Sequence, residues 1–168
     1  MATDAQNFWH GPCQLCERCL HNLPRATPAH HRRTTRAAAV VVSAEGNVLG
    51  EAYCNTSETS DCTGHAETNA VRTVSKTVSR EVLKDATLYS SAEPCVMCAG
   101  AIFWSNIGRV VFGIDAVSLR TFRGERAEQR DAELSCRDVF AASPHPITCI
   151  GPVMVPEASE PHVGFSQS

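Results

Sequence analysis

Apolar residues fall in short blocks along this chain, and the spacing inside each block predicts its element. Ala37 to Val42 is an unbroken apolar run, and Val48 to Tyr53 follows after Ser43-Ala-Glu-Gly-Asn47. Two such stretches around a Glu-Gly-Asn turn predict a β-hairpin. Val40, Val41 and Val42 suit a strand covered on both faces. From His65 to about Thr77 the positions Ala70, Val71, Val74 and Val78 recur at three- and four-residue steps, which predicts a helix with one apolar stripe. Thr63 is its expected N-cap. Thr87 to Ser91 reads as a short strand, and Pro94 fits the first position of the next helix, where a missing N–H costs nothing. Ala99, Ile102, Phe103 and Trp104 continue that helix as core positions. Arg109 to Ile114 predicts a strand, Asp115 to Ala132 irregular chain with a solvent-facing helix, Ala132 to Ala141 a short helix, and Ile147 to Ile150 a last strand. This order predicts an α/β fold, a three-layer α/β/α sandwich around a mixed five-stranded sheet.

Residues 1–36 lack such patterning and read as an irregular segment carrying Cys and His. It contains His10, Cys13, Cys16, Cys19 and His21, then Pro24, Pro28 and the basic run His30-His31-Arg32-Arg33. Three Cys at steps of three could hold a second zinc, or an iron–sulfur cluster with a distant fourth ligand. The plainer reading is a loose or short helical segment with idle thiols, since nothing nearby closes a four-ligand set. The folded domain is therefore expected over 37–168, a length that buries a core of its own.

Charge narrows the partners. The formal net charge is −3 with no basic stripe, which disfavours non-specific binding to nucleic acid. No run approaches the roughly 18 apolar residues of a membrane span, and the start lacks the charged-then-apolar signature of a secretory signal. A cytoplasmic protein is expected, with its nine cysteines mostly reduced.

The chemistry is concentrated in Gly64-His65-Ala66-Glu67 and Glu93-Pro94-Cys95-Val96-Met97-Cys98. One imidazole and two thiolates supply three ligands to zinc and leave a fourth tetrahedral position for water, the arrangement of a catalytic site. Glu67, two residues from His65, is well placed to move protons to and from that water. H-x-E combined with P-C-x-x-C is the signature of zinc deaminases. Zinc would bring the pKa of such a water down from 15.7 toward ~7. Blander readings stand beside these: a buried or redox thiol pair for Cys95 and Cys98, a helix-cap histidine for His65, and a surface residue for Glu67. Asn55 is either a turn residue or a base-contacting amide. Glu93 reads as a loop brace rather than a second acid, and His145 as exposed.

The stretches "TGHAETNAVR" and "LYSSAEPCVMCAGAIFWSNIGRVVFGI" resemble the cytidine/deoxycytidylate deaminase superfamily, in the branch holding guanine deaminases and tRNA adenosine deaminases. That resemblance covers residues 38 to about 114, and less specifically the rest to Phe165. It implies the cytidine deaminase-like fold, a homodimer, and one Zn2+ per subunit held by His65, Cys95 and Cys98, with Glu67 as proton shuttle. It further implies that the Ala66 backbone and the Asn55 side chain hold the base, and that Phe165 closes the pocket. Two departures stand out. Arg36-Ala37-Ala38-Ala39 replaces the usual Pro-Phe-Gly-Ala approach, and Asp61-Cys62-Thr63-Gly64-His65 replaces Asp-Pro-Thr-Ala-His. The expected reaction is hydrolytic deamination of a free purine base or nucleoside, of guanine or adenine type, with release of ammonia. The alternatives are tRNA adenosine deamination, deamination of cytosine or another small aminated heterocycle, and a zinc-stabilised protein without catalysis.

Overall fold

A computed structural model describes residues 37–123 and 134–153 of the chain. The predicted hairpin is β1 (Ala38–Val42) and β2 (Val48–Tyr53), antiparallel from Ala38 opposite Tyr53 to Val42 opposite Val48. Next come α1 (Thr56–Thr59), α2 (Ala66–Val74), α3 (Arg80–Asp85) and β3 (Thr87–Ala92). The chain continues with α4 (Val96–Ser105), β4 (Arg109–Ile114), α5 (Ala116–Arg123), α6 (Cys136–Ala141) and β5 (Thr148–Ile150). The sheet has five strands in the order β2-β1-β3-β4-β5. β1 runs antiparallel to both of its neighbours, whereas β3, β4 and β5 are parallel. The sheet is mixed, as expected.

β1 and β3 are buried along their whole length, which is why they read as apolar runs rather than alternations. Ala39, Val41, Leu88, Val110 and Phe112 face one side and meet Ala70, Val71 and Val74 of α2, Ala99 and Ile102 of α4, and Phe140 of α6. Val40, Val42, Tyr89 and Val111 face the other side with Ile150 and Val153 against them, so the sheet is buried on both faces as a middle layer must be.

Local boundaries correct several expectations. α2 stops at Val74 rather than Thr77, because Ser75 to Thr77 form turns that bring Val78 back to the carbonyl of Val74. Ser79 then caps α3 by accepting from the Val82 amide. Neither α3 nor α1 stands out in the sequence: each is too short for a helical stripe, and α3 buries only Leu83. The N-cap of α2 is His65, not Thr63, whose amide and hydroxyl both donate to Asp61. Pro94 lies just before the N-cap of α4, which is Cys95. Trp104 is not a core residue but 73% exposed, with its ring edge-on to Phe103. The helical period explains it: Cys98, Ala99, Ile102 and Ser105 occupy the inner face of α4, which turns position 104 outward. No helix among the described residues is long and apolar enough to cross a membrane.

Candidate active site

Two helix starts meet at one end of the parallel strands. His65 and Cys95 are the N-caps of α2 and α4, both with extended backbone, and Cys98 lies in the first turn of α4. The imidazole of His65 and the thiol of Cys95 project toward one another. His65 Nδ1 lies 3.6 Å from Cys95 Sγ and 3.6 Å from Cys98 Sγ. Zn–S bonds of about 2.3 Å and Zn–N bonds of about 2.0–2.1 Å at tetrahedral angles require an N···S edge of roughly 3.5–3.6 Å. The donor set therefore fits zinc in both chemistry and spacing. Among the described residues these three form the His/Cys/Asp/Glu cluster able to hold a metal ion.

The surroundings already favour thiolate. Cys95 is pushed down to about 4, first by the hydrogen bond from Cys98, against the cost of burial, with His65 adding to the effect. Cys98, the donor of that bond and itself buried, is held up as a thiol. Thr68 Oγ1 lies 3.3 Å from the Cys98 sulfur.

Glu67 is 6% exposed. Burial pushes its carboxyl above the usual carboxylate range, although a Ser90 hydrogen bond and His65 pull the other way. Ser90 Oγ donates to Oε1 at 2.7 Å, and Cys98 Sγ lies 3.4 Å from Oε2.

Beside His65 and Cys95 opens a cavity of about 130 Å³. His65, Ala66, Glu67 and Cys95 line its floor, while Ala37, Cys54, Leu119, Arg120 and Leu134 form its wall. Ala66 thus lies where the sequence places it. Asn55 is half-buried and does not line this cavity. Its Oδ1 accepts from Asn69 Nδ2 at 2.8 Å, and the same nitrogen donates to the carbonyls of Tyr53 and Gly64. Gly64 makes this approach possible, since a Cβ there would stand 2.4 Å from Asn55 Oδ1. Phe165 and the Cys13, Cys16 and Cys19 segment lie outside the described residues.

Glu93 is the brace it was expected to be. Its carboxylate accepts from the Ala116 amide, the Ser135 hydroxyl and the Cys136 amide, tying the loop after β3 to the starts of α5 and α6. Burial raises its pKa, but these donors outweigh it and hold the group below the usual carboxylate range. His145 is exposed. The wall residues Cys54, Leu119 and Leu134 escaped the sequence reading because they come from three separated segments with no shared motif. Ser90 did leave a trace, a hydroxyl in an otherwise buried strand.

The family model for the cytidine and deoxycytidylate deaminase zinc-binding region matches residues 14–114. The chain belongs to that family. It is a deaminase carrying that family's zinc-binding region. A probable cytosine deaminase of Schizosaccharomyces pombe is 41% identical over 126 residues, covering 75% of this chain and 76% of its own. The guanine deaminase of Bacillus subtilis is 36% identical over 75 residues, 45% of this chain, and the match spans only 48% of that relative. Among solved structures, one from a study of tRNA:A34 deaminases is 29% identical with a TM-score of 0.50, covering 68% of this chain and 80% of that one.

Proposed function

We propose that this chain hydrolyses the exocyclic amine of a free nucleobase or its nucleoside, with His65, Cys95 and Cys98 as the zinc ligands and Glu67 as the proton carrier. The observation that carries this reading is the meeting of a three-donor cluster with a buried carboxylate at the floor of one small cavity. Zinc, when bound, supplies a Lewis acid that makes water nucleophilic near neutral pH. The chain does the rest. Glu67 accepts one proton from the attacking water and delivers it to the ring nitrogen, then takes the second proton from the hydroxyl added to the ring carbon and passes it to the amino group, which leaves as ammonia. The apolar wall around Leu119 and Leu134 excludes bulk water and packs against the ring faces. Asn55, the Ala66 backbone and Phe165 are proposed to hold the base, Phe165 from the C-terminal segment. A homodimer belongs to the same reading.

The choice of ring rests on the relatives. The match over 126 residues to a protein named a probable cytosine deaminase supports cytosine as the first substrate to test. The guanine deaminase match supports a second reading, a guanine- or adenine-type purine, which is the ring the sequence places first. A tRNA substrate has the weaker case, because a net charge of −3 disfavours the phosphate contacts that hold nucleic acid. Ammonia release should be measured across cytosine, guanine, adenine, their nucleosides and tRNA. Turnover of free bases or nucleosides with tRNA inert is expected; reaction of tRNA alone would overturn the proposal.

A further inference from the structure

The buried hydroxyl of Ser90 is not explained by the fold alone. β3 pairs with β1 and β4 at this residue, opposite Ala39 and Phe112, and Ser90 is 0% exposed. A hydroxyl placed there loses water on every side, a cost recovered only through a protein partner. Its neighbours two residues away on the same face, Leu88 and Ala92, are apolar and enclosed, so an apolar side chain suits the strand as well or better. The partner the hydroxyl finds is Glu67 Oε1, to which it donates at 2.7 Å.

The second oxygen of Glu67 is in a different position. Oε2 lies 3.4 Å from Cys98 Sγ, on the side of the donor cluster, and Glu67 lines the cavity. Ser90 thus holds Oε1 from the strand, while Oε2 lies toward the metal-donor cluster.

We infer that Ser90 is a positioning residue: it pins one oxygen of Glu67 through the strand below, so that the other is presented to the attacking water and the ring nitrogen. This rests on the proton-carrier reading of Glu67 given above. Ser90 itself touches neither metal nor substrate. Without it the carboxylate would stay buried but could turn about its last torsion, which for a terminal carboxylate is broad. Proton transfer would then start from a misplaced oxygen, while the cavity that binds the base would be unaltered.

The test compares Ser90→Thr with Ser90→Val in the full chain loaded with zinc. The two substitutions have nearly the same shape and the same preference for strands, so overpacking affects both, and only the hydroxyl separates them. Ser90→Val should lower kcat about 10- to 100-fold relative to Ser90→Thr, with KM within about threefold. Zinc content should remain about one per chain in both, and their thermal midpoints should be alike. Equal kcat in the two variants, or a loss confined to KM, overturns the inference. A Glu67→Gln control distinguishes the role of Glu67 from that of Ser90. If that control still turns over substrate, the role of Glu67 fails; if it is inactive while the Thr and Val variants match, only the role of Ser90 fails.

Discussion

The floor and the wall of the cavity are built in opposite ways. On the floor, every reactive side chain comes from a helix start or from a strand buried along its whole length, and each is fixed by more than one neighbour. His65 has two sulfurs within 3.6 Å, and Glu67 is held from beneath by Ser90. The wall is assembled from Ala37 ahead of β1, Cys54 after β2, Leu119 and Arg120 on α5, and Leu134 ahead of α6. These segments are distant in sequence and share no repeated spacing. Under the proposed function, the reaction is encoded in two short motifs, and the choice of ring in the way separate segments close over them.

The comparison can be broken most forcefully at the floor. Cys98 is fully buried and bonded within the donor cluster, so Cys98→Ala should remove zinc and with it turnover, and destabilise the chain by about 2–5 kcal/mol through the lost metal and the cavity left behind. Metal analysis and thermal unfolding with and without chelator check this. A variant that keeps its zinc and its rate would break the distinction between floor and wall.

A change in the wall should be milder and of another kind. Leu119 is 7% exposed and packs with Ala92 and Ile114 beside the cavity. Leu119→Ala should leave zinc bound and cost about 2–3 kcal/mol of stability. It should also shift the ratio of kcat/KM between pyrimidine and purine bases by about tenfold, as one altered apolar contact does. Parallel kinetics on cytosine and guanine check it. Equal loss on both rings would mean that Leu119 supports the fold but does not read the ring.

The same division explains what was legible in the sequence. The hairpin, the three later strands and the helices carrying His65 and Cys98 follow from period-2 or continuous apolar runs and from one helical stripe, because tertiary packing reinforces those local patterns. The donor cluster was legible because two short motifs bring its members close through helix starts. α1 and α3 were not, being four and six residues long with little or nothing buried. Trp104 misled because an aromatic side chain in an apolar helix suggests core, whereas its angle around α4 points it to solvent. Ser90 could be seen but not interpreted, since its meaning depends on Glu67 lying across the sheet–helix boundary.

In the proposed site a metal gripped by His65, Cys95 and Cys98 works with a carboxylate that is not itself a ligand. Zinc content and ammonia release measured together on Glu67→Gln probe that division of labour. About one zinc per chain is expected, as in the unaltered protein, with turnover lowered by about 10²- to 10⁴-fold. Undiminished turnover, or loss of the zinc along with the carboxylate, would contradict it.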